Sequence, residues 1–121
     1  MLKLVNISDS FNKFKDTYSP KIVGELNGQY VMLVKAEGDK VPWHSHENED
    51  EMFLVVEGVL NILEKDKITK VQAGEFYIVP RGIEHKVIPE GLVKLMLFEP
   101  KNISHTGNVT SDITKKNFEQ F

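Results

Sequence analysis

Four histidines and one acidic run are the residues of this 121-residue chain best suited to chemistry. His44 and His46 stand two apart, Glu47-Asn48-Glu49-Asp50-Glu51 follows at once, and His85 lies well downstream. Imidazole and carboxylate are the borderline and hard donors that hold first-row divalent ions. The chain has no cysteine, which excludes thiolate ligation, an iron–sulfur cluster, a disulfide scaffold and a cysteine nucleophile. Taken alone, a His-x-His pair is a weak signal, since exposed or packed histidines often show that spacing. An acidic run by itself is ordinarily a solvated loop.

The elements that must position these groups read as short strands. Asn27-Gly28 between the apolar-rich runs 21–26 and 29–35 is a strong hairpin signal, because both central residues of such a turn need positive φ. Further strands are predicted over 41–46, 51–56 (closed by Gly58), 59–63, 68–71, 76–79, 85–88 and 92–98. Pro80-Arg81-Gly82 and Pro89-Glu90-Gly91 read as turns between them. Only Ser8 to Phe14 reads as a helix, with Phe11 and Phe14 on one side. Eight or nine short strands with frequent turns predict an antiparallel sandwich or barrel. On a strand, His44 and His46 share a face, as do Glu51, Phe53 and Val55, and His85 and Val87. Three imidazoles and a carboxylate can therefore project into one interior.

Two strings carry a resemblance to a known family: Gly38-x5-His44-x-His46-x4-Glu51-x6-Gly58 and Gly74-x5-Pro80-x-Gly82-x2-His85. Together they resemble the paired motifs of the cupin superfamily, and the flanks resemble its small one-domain members, often labelled mannose-6-phosphate isomerase-like. The resemblance implies an all-β fold, an antiparallel double-sheet jelly roll with one short N-terminal helix. It also implies a single domain over 1–121, with the metal-binding motifs at 38–58 and 74–85. Carried over residue by residue, the metal ligands are His44, His46, Glu51 and His85. One position departs: Pro89 stands where the second motif usually ends in Asn, a residue that is not a ligand. Glu49 or Asp50 in place of Glu51 stays open, because strand register is uncertain by a residue or two.

The chemistry agrees with the resemblance. Three imidazoles and one carboxylate leave positions open on a five- or six-coordinate ion, as catalytic sites do. One divalent transition metal ion per chain is expected, with iron, manganese, nickel, zinc and copper all compatible. The expected function is a metal-dependent enzyme acting on a small polar substrate, by isomerase, lyase or dioxygenase chemistry. The alternatives are a non-catalytic binding or sensor module and a structural metal site. No general base or other catalytic residue is evident.

The remaining features narrow the partners. A net charge of −3, with lysines spread along the chain, argues against nucleic acid and anionic membranes. No stretch approaches a signal peptide or a membrane span, so a cytoplasmic protein is expected. The sequons at Asn6, Asn102 and Asn108 read as chance. Trp43 points away from the ligands and, with Val41, reads as a pairing edge for a homodimer. Arg81, the only arginine, reads as an exposed turn residue or an anion-binding group at the pocket mouth. Tyr30 and Tyr77 read as core, and His105 as a surface residue of a polar tail.

Overall fold

The structure, a computed structural model, describes residues 2–101 and 118–121. A short helix α1 (Ile7–Phe11) is followed by strands β1 (Lys21–Leu26), β2 (Gln29–Ala36), β3 (Glu51–Glu64), β4 (Lys67–Gln72), β5 (Phe76–Val79), β6 (Lys86–Pro100) and β7 (Glu119–Gln120). The strands lie in the order β4-β3-β6-β2-β1-β7, with β5 also paired to β3. All pairings are antiparallel except β1 with β7. This is the mostly-β, jelly-roll fold expected, with its sheet not closed. Among the described residues no helix is long and apolar enough to cross a membrane.

The β1–β2 hairpin turns on Asn27 (φ 53°) and Gly28 (φ 77°), as the two residue types require. Elsewhere there are fewer and longer strands than the turn signals suggested. Gly58 does not close a strand. It sits in a bulge where the β3–β6 register shifts, and β3 continues through it. The bulge has a clear use. Inward residues before it are Glu51, Phe53 and Val55, whereas after it they are Leu60 and Ile62. One extra residue restores the inward face after the chain bends. Likewise Pro89-Glu90-Gly91 is no turn but part of β6, with Leu60 opposite Pro89 and Val59 opposite Glu90. Residues 86–90 of β6 pair with β3 alone, whereas residues 93–100 pair with β2, so Pro89 stands where a missing N–H breaks no second ladder.

Two further expectations are corrected. Residues 41–46 form a loop whose only ladder contact is the bridge between His44 and His85. The helix starts earlier than Ser8: Asn6 is the N-cap, its side chain accepting from Asp9 N at 2.9 Å, and the helix stops at Phe11.

The main core lies on the inner face, built from Met32, Val34, Val55, Leu60, Ile62, Val93 and their neighbours. Tyr30 and Tyr77 pack against it, as expected. Val41 belongs to this core too, at 7% exposure, so it does not form an exposed edge with Trp43. A second cluster on the outer face joins Phe11 and Phe14 to Val23 and Leu33, with the two rings 5.9 Å apart. Burying those two rings is what holds so short a helix in place, since an isolated helix of this length is unstable in water.

Candidate metal centre

Glu51 is the first residue of β3, opposite Val79 of β5, and His85 immediately precedes β6. His44 and His46 lie on the loop between β2 and β3. Main-chain hydrogen bonds lock these segments together. His44 N donates to His85 O at 3.0 Å, and His85 N returns the bond at 2.9 Å. Gly82 N, in a turn that needs its φ of 79°, donates to His46 O at 2.8 Å. Asp50 accepts from Arg81 N at 2.9 Å on the same turn.

The sequence-predicted set is brought together in full. His44, His46, Glu51 and His85 are all buried, and each offers one donor atom within 4.8 Å of the other three. The orientation of each ring follows from its second nitrogen. His44 Nδ1 lies 2.8 Å from Pro42 O, His85 Nδ1 2.9 Å from Ile83 O, and His46 Nδ1 2.7 Å from Glu49 Oε1. Carbonyl and carboxylate oxygens only accept, so in a neutral ring that pairs through Nδ1 the proton sits on Nδ1 and Nε2 is left to ligate. His85 Nε2 and His46 Nε2 both lie 3.1 Å from Glu51 Oε1. Even so, His44 Nε2 and His46 Nε2 have no hydrogen-bond partner of good geometry, although both are fully buried. Buried, unpartnered ring nitrogens beside a carboxylate are what a cation satisfies. The four residues are able to hold one metal ion.

Local electrostatics favour the ligating forms of two members. Burial pushes His44 below the ordinary histidine pKa, which keeps it neutral. Burial acts against the Glu51 carboxylate, but the neighbouring His46 and His85 rings override it and hold Glu51 well below the usual range. For His46, burial is outweighed by Glu51 and Glu49, and its pKa rises. An added proton on His46 has only Nε2 to occupy, so it competes directly with a metal ion.

Other residues fall into place around this centre. Glu51, not Glu49, brings its carboxyl to the cluster, and Glu49 lies instead against Nδ1 of His46. Glu49→Gln is expected to weaken metal binding by about tenfold, because a carboxylate behind a ligating imidazole fixes its tautomer and raises its basicity. Competition with a chelator of known affinity measures this, and an unchanged constant would show the bond to be idle. Asp50 points instead to Arg81, whose Nε lies 3.6 Å away. Arg81 lines a surface cavity of about 370 Å³ with Glu49, Met52, Ile78 and Phe98. It does not line the interior cavity of about 50 Å³, whose lining includes Val34, Val41, Phe53 and Leu95 together with His44 and Glu51. Trp43 does face away from the ligands and is 40% exposed. His105 lies outside the described residues.

Two residues near the centre escaped the sequence reading. Tyr18, buried with φ 54°, lines the interior cavity and donates its hydroxyl to Gly38 O at 2.5 Å. Burial and the Asp39 charge push its pKa up to about 12. Glu99, on the inner face of β6, lies with its carboxyl against that of Glu51. Burial first, and then the Glu51 charge, hold its pKa well above the ordinary range. The signal for Glu99 was present: Val93, Leu95 and Leu97 alternate inward, and Glu99 is next in phase.

Comparison with known proteins gives a consistent answer. Residues 30–99 match the family model described as the cupin domain. An uncharacterized protein of Bacillus subtilis, YdbB, is 34% identical over 87 residues, covering 71% of this chain and 76% of its own. The crystal structure of a cupin-2 domain containing protein from Shewanella frigidimarina is similar at a TM-score of 0.78 and 40% identity, over 81% of this chain and 95% of that one. Protein NMB1881 from Neisseria meningitidis is similar at 0.72 and 25% identity, over 82% of this chain and all of that one. With the matched model covering more than half of the chain, and the four buried donors placed on its two motifs, this protein belongs to the cupin superfamily.

Proposed function

We propose that this cupin holds one divalent transition metal ion on His44, His46, Glu51 and His85, and uses it to bind and transform a small molecule. The observation that carries this reading is the commitment of all three Nδ1 atoms to oxygen acceptors, which leaves three Nε2 lone pairs and one carboxylate facing a common point. A metal ion bound there supplies Lewis acidity toward a carbonyl or hydroxyl group, or activates water or oxygen. A partly open cavity of about 50 Å³ adjoins the centre at His44 and Glu51. Its walls are apolar apart from the ligand end, so the substrate is polar where it meets the ion and compact and apolar beyond.

Isomerase, lyase and dioxygenase chemistry all remain within the reading. The mannose-6-phosphate isomerase-like label fits it only as a description of shape, since the one arginine pairs with Asp50 outside the interior cavity. A second copy of the chain is the proposed partner, supported by Phe76, Ile78 and Trp43, large apolar side chains left exposed. The proposed setting is the cytoplasm.

Elemental analysis of protein purified without chelator tests the metal assignment, with about one ion per chain expected. The same sample should release its ion as pH falls through about 6.5, because imidazole must be neutral to ligate. The raised pKa of His46 makes it the first ligand lost, and the lowered pKa of His44 makes that ring the more persistent. Protein that is metal-free and cannot be reloaded would overturn the reading, as would full occupancy retained about two pH units below that point.

A further inference from the structure

Tyr18 stands in a backbone conformation that its side chain does not favour. Its φ is 54°, and among the described residues only Asn27, in the hairpin turn, shares a positive value without being glycine. For a bulky side chain this is strained, and glycine would give the same backbone without the cost. Such strain persists where the surroundings over-determine it. Here Tyr18 N donates to Lys35 O at 2.8 Å, and the hydroxyl donates to Gly38 O at 2.5 Å. The chain changes face at this point. Phe14 packs in the outer cluster, whereas Tyr18, four residues on, is 5% exposed in the inner core. There it lines the cavity that His44 and Glu51 also line.

We propose that Tyr18 is a specificity residue, whose ring sets the length of a hydrocarbon arm carried by a ligand on the metal ion. Apart from His44, Glu51 and the tyrosine hydroxyl, every residue lining the cavity is apolar, Val34, Ala36 and Leu95 among them. The hydroxyl proton is already committed to Gly38 O. A second charged group on the ligand finds no partner in such a lining and stays outside it. The ligand class is therefore a small molecule with one oxygen-bearing head for the ion and a short hydrocarbon arm for the cavity. This inference rests on the metal reading above.

Alkyl hydroxamates are the probes, because they chelate divalent ions through two oxygens and differ only in arm length. On Zn2+-loaded wild type, affinity should rise about fourfold with each methylene added to acetohydroxamate, until the arm meets the ring. The terminal methyl of the longest arm still gaining affinity should then show a nuclear Overhauser contact to the Tyr18 ring. Tyr30 and Tyr77, which touch the core but do not line the cavity, are the internal controls. Tyr18→Leu should extend the rise by at least one methylene, and Ala36→Val, which fills the cavity from β2, should end it at least one sooner. Tyr18→Phe keeps the ring and should stop where wild type does, while melting lower for want of the bond to Gly38 O. None of these changes touches a ligand or its hydrogen-bond partner, so all four proteins should take up one Zn2+ per chain with affinities within about threefold.

Absence of the methyl contact in the bound complex would overturn the proposal, and it is read on wild type whether or not Tyr18→Leu folds. Equal stopping points in wild type and Tyr18→Leu would overturn it too, leaving Tyr18 a packing residue. An Ala36→Val that stops where wild type does would show that the arm does not enter the cavity, with the same result. Affinity independent of arm length, or no hydroxamate binding at all, would also defeat it. With Zn2+ uptake intact, each of these outcomes leaves the metal reading standing. A wild type that takes up neither Zn2+ nor Mn2+ would remove both.

Discussion

Replacing His44 with alanine is expected to weaken metal binding by about a hundredfold or more, while the metal-free protein melts within a few degrees of wild type. The split follows from how His44 is held. Its contribution to the fold is made by the main chain, through the reciprocal bonds with His85, and alanine keeps both. Its side chain gives up one hydrogen bond to Pro42 O and otherwise ends in a buried nitrogen with no partner. Truncation therefore deletes a donor the metal needs and an orphan the empty fold does not. The stabilisation that bound metal confers on wild type, which grows with the logarithm of free metal over Kd, should collapse in the variant. Metal content by elemental analysis and melting with and without chelator check both halves. Retention of a full ion would remove His44 from the ligand set. Unfolding of wild type on chelation would make the ion a structural fastening.

Gly58→Ala is expected to cost about 3 kcal/mol, the largest effect on folding among alanine substitutions of the described glycines. Two penalties add. The residue has φ 96°, a conformation that L side chains rarely adopt. A Cβ built there would also lie 2.9 Å from Leu92 O, 3.2 Å from Val93 Cα and 3.1 Å from Val93 Cγ2. Two of these are backbone atoms of β6 and cannot swing aside. Gly74→Ala is the control: its φ is 85°, but a Cβ meets nothing within 4 Å, so only the conformational cost of about 1 kcal/mol applies. Denaturant unfolding of both variants gives the comparison directly. Equal losses would show that the contact with Leu92 relaxes freely.

What could be read from the sequence was what depends on local rules. The Asn27-Gly28 hairpin needs only the φ preferences of two residues. The candidate metal set was implied by the family resemblance that the two motif strings carry, with Glu49 and Asp50 still open beside Glu51. Merged strands were not legible in the same way. Gly58 and Pro89-Glu90-Gly91 carry the residue types of turns, and what keeps the chain extended through them is long-range pairing between β3 and β6. Residues 41–46 alternate like a strand, yet only His44 finds a ladder partner. Both histidines still reach the interior, because the loop is pinned from two sides by His85 and Gly82. Glu49 read as a solvated acid or a substitute ligand, since a hydrogen bond to the far side of an imidazole leaves no mark in the spacing.

The bulge in β3 has a consequence for how this fold tolerates change in length. Side chains alternate along a strand, so the number of residues between Leu60 and Glu51 decides whether that glutamate looks into the molecule or out of it. Removing one residue near Gly58 would leave every ligand in the sequence and turn Glu51 away from the three imidazoles. Across this stretch the site depends on a count rather than on any side chain, and a deletion abolishes it without altering any of the four clustered residues.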